Sequence, residues 1–313
     1  MPPDAATQQL LDLLAAEAQP PLEEMTPTQA REAFAALALL QGDPPERTSV
    51  IEQEVGGVPC QVITPAGEAP AGGWPVLIWI HGGGWVIGQA AESTITASRL
   101  GARAGCVVVN VDYRLAPEHP YPAAPDDCVA VTRWVLEHAG ALGGDPTRVA
   151  VGGDSAGGNL SAVVANEVPG LAFQLLVHPV TDLTMSMPSY EENADGYLLT
   201  KAGMEWFIDH YLSGGGEPKD PRVSPYHADD AVIAAAPPAL VITAELDPLR
   251  DEGEAYADRL AAAGVATTKT RYDGQIHAFF VLPAVLPVAT TAADDAAAQL
   301  RQAFASGLTR ARR

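Results

Sequence analysis

Five short apolar runs constrain the fold more than any other feature of this 313-residue chain. Each run has the pattern of a strand that is buried on both faces. Stretches with a helical pattern lie between the runs or follow them, and this alternation predicts an α/β fold with a largely parallel sheet covered by helices on both faces. The runs are 74–80, 106–113, 148–153, 174–180 and 239–246, and the helical stretches are 91–104, 125–139, 156–168 and 251–263.

Two parts of the chain lie outside this alternation. Residues 5–18 and 26–41 are predicted helices, and the second begins with a capping box in which Thr26 is the N-cap and Gln29 is the third helical residue. Residues 183–235 separate the fourth and fifth apolar runs and are too long for a simple crossover. Long insertions of this kind commonly serve function.

These observations predict a division of the chain. We expect residues 1–45 and 183–235 to form two parts of a helical cap over one end of the sheet. Residues 46–182 and 236–313 then form the main α/β domain, which begins with an antiparallel hairpin at 48–66.

The net charge excludes several classes of partner. Lys and Arg number 18 against 39 Asp and Glu, which gives a formal net charge of −21. Phosphate backbones and anionic lipid surfaces repel such a chain, so we expect neither nucleic-acid binding nor membrane binding. No apolar run approaches the length of about 18 residues that a membrane-spanning helix requires.

The cysteines indicate a reducing compartment. Cys60, Cys106 and Cys128 are odd in number and widely spaced, and no pair is separated by two residues. We interpret them as small buried apolar side chains, not as disulfide partners or metal ligands. Because the N-terminal residues also lack the pattern of a signal peptide, we expect a cytoplasmic protein. Separately, we expect no metal and no cofactor.

A G-x-S-x-G motif at residues 153–157 follows the third apolar run and begins a predicted helix. In that context a sharp turn from strand to helix lifts the Ser155 hydroxyl above the edge of the sheet. The motif by itself also fits a plain glycine turn. The strand before it and the helix after it favour Ser155 as a nucleophile.

A second motif, His81-Gly82-Gly83-Gly84, directly follows the first apolar run. It fits either a flexible turn with positive φ or a loop whose backbone N–H groups hold an oxyanion, since no Cβ blocks the approach. The predicted oxyanion donors are the N–H groups of Gly83, Gly84 and Ala156, the residue after the candidate nucleophile. Two such motifs at strand ends of one sheet are far more specific than either one alone.

A serine nucleophile requires an imidazole base and an acid that orients it. His277 follows the last strand-like segment and is the predicted base, whereas His178 lies inside an apolar run and is expected in the core. Asp247 follows the fifth run, at the edge where parallel sheets place functional groups, and is the predicted acid. Glu245 is its main rival, and Asp251 is expected to favour a helix N-terminus.

The motifs resemble those of bacterial hormone-sensitive-lipase-like carboxylesterases, a group within the α/β-hydrolases. The order of Ser155, Asp247 and His277 is the order of nucleophile, acid and base in that superfamily. In the loop before the base, Gln275 and Ala278 stand where members often carry Met and Gly. The matching segments are HGGGW at 81–85, VDYRLAPEHPYPAA at 111–124, GDSAGGNL at 153–160, DPLRDEGEAYA at 247–257 and YDGQIHAFF at 272–280.

The resemblance implies an α/β-hydrolase fold with a helical cap and hydrolysis of short- to medium-chain carboxylic esters through an acyl-enzyme. Phe34, Trp85 and Phe207 are candidate residues of the substrate pocket, with core packing as the alternative for each. A homodimer is plausible through an exposed edge strand near 266–273. We also expect a buried polar network near the glycine loop, made of Asp112, Tyr113, Arg114 and Glu118.

Two other functions fit the same residues. An amidase, or a hydrolase of carbamates or lactones, would use the same three side chains. A non-catalytic receptor for a small ligand could share the fold, although the presence of Ser155, Asp247 and His277 argues against it.

Overall fold

The computed structural model describes residues 2–17, 19–45 and 48–310; the remaining positions, which include the last residue of the predicted helix 5–18, lie outside this description. The strands are β1 (Ser49–Val55), β2 (Val58–Thr64), β3 (Trp74–Ile80), β4 (Val107–Val111), β5 (Gly144–Asp154), β6 (Phe173–Val177), β7 (Ala239–Leu246) and β8 (Thr267–Ile276). The helices are α1 (Ala5–Ala16), α2 (Pro27–Leu37), α3 (Ala90–Ala104), α4 (Ala123–His138), α5 (Ala156–Glu167), α6 (Ser189–Glu192), α7 (Lys201–Tyr211), α8 (Asp230–Ala235), α9 (Arg250–Ala262) and α10 (Val288–Arg310).

The eight strands form one sheet in the order β1-β2-β4-β3-β5-β6-β7-β8. β1 and β2 form an antiparallel hairpin, β2 is antiparallel to β4, and every later pairing is parallel. The predicted fold class is therefore confirmed. β5 begins at residue 144 and not at 148 as predicted. Its polar first residues were not recognised as strand, and a buried ion pair between Arg148 and Asp145 holds them in place.

Strand β3 shows why the central strands are apolar throughout. Val76 and Ile78 point into the core on one face of the sheet, together with residues of α4 and α5. Leu77 and Trp79 point into the core on the other face, together with residues of α3 and α10. Because both faces are covered by helices, an alternating pattern of apolar and polar residues does not occur.

The two segments outside the main alternation are helical. The capping box of α2 is present, since the Gln29 N–H donates to Thr26 Oγ1 and the Thr26 N–H donates to the Gln29 side chain. Helix α2 ends at Leu37, and residues 38–41 form a 3-10 turn in place of the predicted last helical turn. The Gln41 side chain is drawn inward there, where it binds Thr96 and the Glu92 carbonyl of α3.

In the second segment, residues 201–212 have an amphipathic pattern and α7 forms there, while α6 and α8 are shorter helices that the sequence did not indicate. Within the described ranges, none of the helices has the length and apolar character needed to cross a membrane.

Candidate active site

Three reactive side chains meet at one edge of the sheet. Ser155 directly follows β5, Asp247 directly follows β7, and His277 directly follows β8. The carboxyl ends of parallel strands lie at the same edge, and this is where open α/β sheets place their ligands. The three residues are therefore close in space although 122 residues separate Ser155 from His277.

The imidazole of His277 bridges the other two side chains. Its Nε2 lies 2.9 Å from Ser155 Oγ, and its Nδ1 lies 2.8 Å from Asp247 Oδ2. Asp247 is fully buried, and its Oδ1 accepts the N–H of Leu249 at 2.9 Å. One carboxylate oxygen is thus occupied by the backbone, and the other is aimed at the imidazole. In this arrangement Asp247 holds His277 Nδ1–H, which leaves Nε2 able to accept a proton from Ser155.

The rival carboxylates have other partners. Glu245 Oε2 accepts the N–H of Gly274 at 2.7 Å and so supports the loop before His277. Asp251 lies in the first turn of α9, as expected, and accepts the N–H of Ser189 at 2.9 Å. Asp247 is therefore the carboxylate that binds the imidazole.

Ser155, the candidate nucleophile, lies in a strained turn. Ser155 has φ 56° and ψ −120°, outside the regions that non-glycine residues usually occupy. Its N–H donates to the Val177 carbonyl of β6 at 2.9 Å, and its carbonyl accepts the N–H of Asn159 at 3.0 Å. At Gly157 a Cβ would overlap the carbonyl oxygen of Ile80, so the turn can pack against β3 only because this residue is glycine.

The glycine loop is joined to the nucleophile turn by Asp154. The Gly82 N–H donates to Asp154 Oδ1 at 3.1 Å, so this N–H is already engaged. The hydroxyl of Tyr113 donates to the His81 carbonyl at 3.0 Å and supports the loop from behind. The next N–H groups along the loop, those of Gly83 and Gly84, remain the predicted oxyanion donors together with that of Ala156.

Asp154 is a buried carboxyl beside the nucleophile, and its position was not singled out from the sequence. Burial raises its pKa to about 6, although the charge of His277 and the Gly82 N–H act in the opposite direction. Its place within the G-x-S-x-G motif, directly before Ser155, could have drawn attention to it, because a carboxylate there can bind an N–H group of the glycine loop.

The three candidate pocket residues occupy different environments. Phe34 on α2 is half-buried at the rim of the larger core cluster. Trp85 is fully buried and stacks on Tyr211 with ring centroids 4.3 Å apart, so its side chain is a packing element in this structure. Phe207 is 5% exposed and lies so close to Gly84 that a Cβ there would overlap its ring.

His178 is fully buried, as expected for a core histidine, but it also contacts the candidate base. Its ring centroid lies 4.4 Å from that of His277. Neither of its ring nitrogens has a hydrogen-bond partner in the described part of the chain. Burial, and then the charge of His277, lower the pKa of His178 well below its ordinary value. No sequence pattern indicated this contact.

The polar network expected near the glycine loop is only partly present. Tyr113 is buried on the loop, but the side chains of Arg114 and Glu118 are 50% and 55% exposed. Arg114 pairs with Asp127 on α4, and Glu118 pairs with Arg31 on α2. The prediction of one buried network was wrong because each charged residue binds a helix that packs over the loop.

A serine in a strained strand-to-helix turn, followed along the chain by a carboxylate and then a histidine at the same edge of a mainly parallel sheet, defines an α/β-hydrolase type of site. Comparison with known proteins agrees. Residues 77–281 match a family described as having the alpha/beta hydrolase fold. The chain belongs to this family.

Several relatives are esterases by name. Carboxylesterase NlhH of Mycobacterium tuberculosis is 43% identical over 241 residues, which are 74% of each chain. An ethyl acetate hydrolase of Pseudomonas putida is 34% identical over 278 residues, which are 85% of this chain and 87% of that protein. The crystal structure of a thermostable esterase from Pseudomonas putida ECU1011 superposes with a TM-score of 0.92 at 38% identity, covering 97% of this chain and 98% of the other. The resemblance stated from the motifs is therefore confirmed.

We expect Asp247→Asn to be far more damaging than Glu245→Gln or Asp251→Asn. An amide in place of Asp247 favours the wrong imidazole tautomer, and a loss in kcat on the order of 10⁴ follows. The other two variants remove loop and helix contacts but leave the bond to His277. Steady-state rates with p-nitrophenyl butyrate compare the three, and a dead Glu245→Gln enzyme with an active Asp247→Asn enzyme would contradict the assignment.

The pH dependence of stability tests the environment of Asp154. Its folded-state pKa of about 6 lies above the ordinary value of 3.8, so its ionisation destabilises the fold as pH rises through that window. Asp154→Asn should therefore gain stability relative to the parent protein between about pH 4 and pH 6, by up to about 3 kcal/mol, and the difference should be constant above that window. Denaturant unfolding of both proteins from pH 4 to pH 8 measures this, and a pH-independent difference would refute it.

Proposed function

We propose that the protein is a serine carboxylesterase that hydrolyses short- to medium-chain esters, with Ser155 as nucleophile, His277 as base and Asp247 as its orienting acid. The observation that carries this proposal is the continuous pair of hydrogen bonds from Ser155 Oγ through the His277 ring to Asp247. The names of the relatives support the same activity.

The geometry supports acyl transfer in two steps. His277 Nε2 takes the proton of Ser155 as its Oγ attacks the ester carbonyl, and the developing oxyanion is held by the N–H groups of Gly83, Gly84 and Ala156. His277 then donates the proton to the alcohol leaving group, which departs and leaves an acyl-enzyme. Water, deprotonated by the same imidazole, hydrolyses the acyl-enzyme and restores Ser155. The buried carboxylate of Asp247 stabilises the imidazolium that forms in both steps.

We include a cap in the proposal, formed by residues 1–45 and 183–235 over the α/β domain of residues 46–182 and 236–313. The contact between the 3-10 turn at Leu22–Glu24 and α7 supports joining the two segments into one unit, since Leu22 packs beside Gly203. Phe207 reaches from α7 to the glycine loop. A cap in this place limits the length of acyl chain that the site accepts.

Replacement of Ser155 tests the activity directly. Ser155→Ala should fold normally and lose esterase activity by several orders of magnitude, because no other group can form the acyl-enzyme. A fluorophosphonate probe should label the parent protein and leave the variant unlabelled. An unlabelled parent protein would favour a non-catalytic receptor, and retention of more than a trace of activity in the variant would exclude Ser155 as nucleophile.

Pocket size should depend on Phe34 and Phe207. Truncation of either to Ala should shift preference toward longer acyl chains, because the space freed can bury additional methylene groups. Each buried methylene contributes about 0.8 kcal/mol, so one or two extra carbons change kcat/KM by roughly 4–15-fold.

The measurement is the ratio of kcat/KM for decanoate and butyrate esters in each variant. Leu13→Ala on α1 is a matched control, because that side chain is 53% exposed and its truncation frees no buried space. A ratio that stays constant in both Phe variants would mean that these side chains serve only helix packing.

A homodimer through β8 is also part of the proposal. β8 is the last strand in the sheet order, and within the described residues no further strand pairs with its outer edge. Unpaired N–H and C=O groups along such an edge can pair with the same strand of a second copy. Light scattering during size-exclusion chromatography distinguishes one chain from two.

We place the protein in the cytoplasm. Cys60, Cys106 and Cys128 are all buried and unpaired, which fits a reducing compartment. Burial raises the pKa of Cys106 to about 12, so this thiol stays protonated and unreactive. Fractionation of cells that express the chain tests the location, and recovery outside the cytoplasm would contradict it.

A further inference from the structure

The loop before the candidate base contains an irregularity in the sheet. Ala244 of β7 pairs with Tyr272 of β8, and Leu246 pairs with Ile276. One residue therefore lies between the paired positions on β7, and three lie between them on β8. The extra residues of β8 bulge out of the ladder directly before His277. Bulges of this kind re-aim a side chain, but they also leave backbone groups without partners in the sheet.

One side of this bulge is held by Glu245, which accepts the Gly274 N–H at 2.7 Å. The other side is held by the first residues of the chain, where the Asp4 N–H donates to the Gly274 carbonyl at 3.2 Å. The peptide groups of the bulge are thus fixed from a neighbouring strand on one side and from the start of α1 on the other.

The Gln275 side chain completes the contact with α1. Its Nε2 donates to Asp4 Oδ2 at 2.6 Å, and its Oε1 accepts the Thr7 hydroxyl at 3.3 Å. Gln275 and Thr7 are 1% and 0% exposed, so this is a buried polar contact with both ends of the amide bound. The other oxygen of Asp4 accepts the Thr7 N–H at 2.8 Å as the N-cap of α1. One carboxylate therefore both caps α1 and binds the loop of the base.

We propose that Gln275 is a positioning residue for His277, and that Asp4 and Thr7 on α1 act through it to align the base. This inference rests on the proposed function of His277. Gln275 is two residues from the imidazole, and the imidazole must reach Ser155 and Asp247 at 2.9 Å and 2.8 Å at the same time. Docking of the first helix is thereby coupled to the chemistry at the opposite end of the chain.

The direct test is Gln275→Met, which keeps an unbranched side chain of similar length and removes both hydrogen bonds. We expect kcat to fall about tenfold, since small misplacement of a catalytic group is costly, while KM changes little. A fluorophosphonate should also label Ser155 more slowly in this variant, because labelling requires an aligned base.

Asp4→Ser separates positioning from helix stability. Serine is as good an N-cap as aspartate, so the variant keeps the bond to Thr7 N–H and loses only the bond to Gln275. We expect kcat to fall about threefold, the effect of one hydrogen bond. The control is Val135→Ala, which removes buried apolar contacts of α4 outside the proposed cap and does not touch the loop of His277. It should lower the melting temperature and leave kcat unchanged.

The double variant Asp4→Ser, Gln275→Met should be no slower than Gln275→Met alone, because both substitutions remove the same contact.

Unchanged kcat and labelling rate in Gln275→Met and Asp4→Ser, with a lower melting temperature only, would overturn the proposal. An equal loss of kcat in Val135→Ala would also overturn it. If Gln275→Met does not fold, the kcat and labelling rate of Asp4→Ser decide whether the proposal holds, because residue 4 is exposed. A parent protein that is labelled but hydrolyses no ester would refute the proposed function and not this inference, because the labelling rate still reports alignment.

Discussion

The backbone conformation of Ser155 is the constraint on which the site depends. A non-glycine residue at φ 56° and ψ −120° costs on the order of 1–3 kcal/mol and persists only where the surroundings determine it. Here β5 is paired on both edges, with β3 and β6, and ten of the twelve residues of α5 are buried. The strand and the helix on either side of the turn therefore cannot shift to relieve it. This strained conformation places the Ser155 hydroxyl beyond the edge of the sheet.

The position of the base follows from the order of the strands. β6 and β7 lie between β5 and β8, so an imidazole at the end of β8 must reach back across two strands to meet Ser155. The bulge before His277 supplies the extra length, and the acid at the end of β7 lies on the path. A carboxylate at the end of β7 can bind His277 Nδ1 while Nε2 of the same ring binds Ser155 Oγ. The strand order thus explains why Asp247, and not a residue on β6, is the partner of His277.

Local sequence patterns were sufficient to predict the sheet and the three central side chains. β3 was predicted with its observed bounds because a strand covered on both faces is apolar at every position and glycines lie close to both of its ends. Ser155 and Asp247 could be placed because strand ends are visible in the sequence. The contacts of Gln275 with Asp4, 271 residues away, could not be predicted, since nothing in either local pattern specifies how α1 docks. The start of β5 was missed for a related reason, because an ion pair and not an apolar pattern holds it.

The N-terminal segment differs in its packing from the rest of the protein. Helix α2 buries only Ala30, and α1 buries only Thr7 and Leu10, whereas α5 is almost entirely buried. Polar contacts add to the partly buried apolar ones: Arg31 donates from Nε to the Val86 carbonyl at 2.9 Å, beside the glycine loop. Elements with few buried apolar contacts open at a lower free-energy cost than the core.

The points at which this segment is attached have a common feature. Arg31 binds next to the glycine loop, and Asp4 binds the loop of His277, so the hydrogen bonds lead to the loops that carry the proposed oxyanion donors and the proposed base. The bond from Arg31 also holds the pKa of Glu118 down at about 2, so this ion pair persists across the pH range in which an esterase works. The weakly packed segment is thus bonded to both loops. The same few polar contacts therefore link the docking of α1 and α2 to the positions of these two loops.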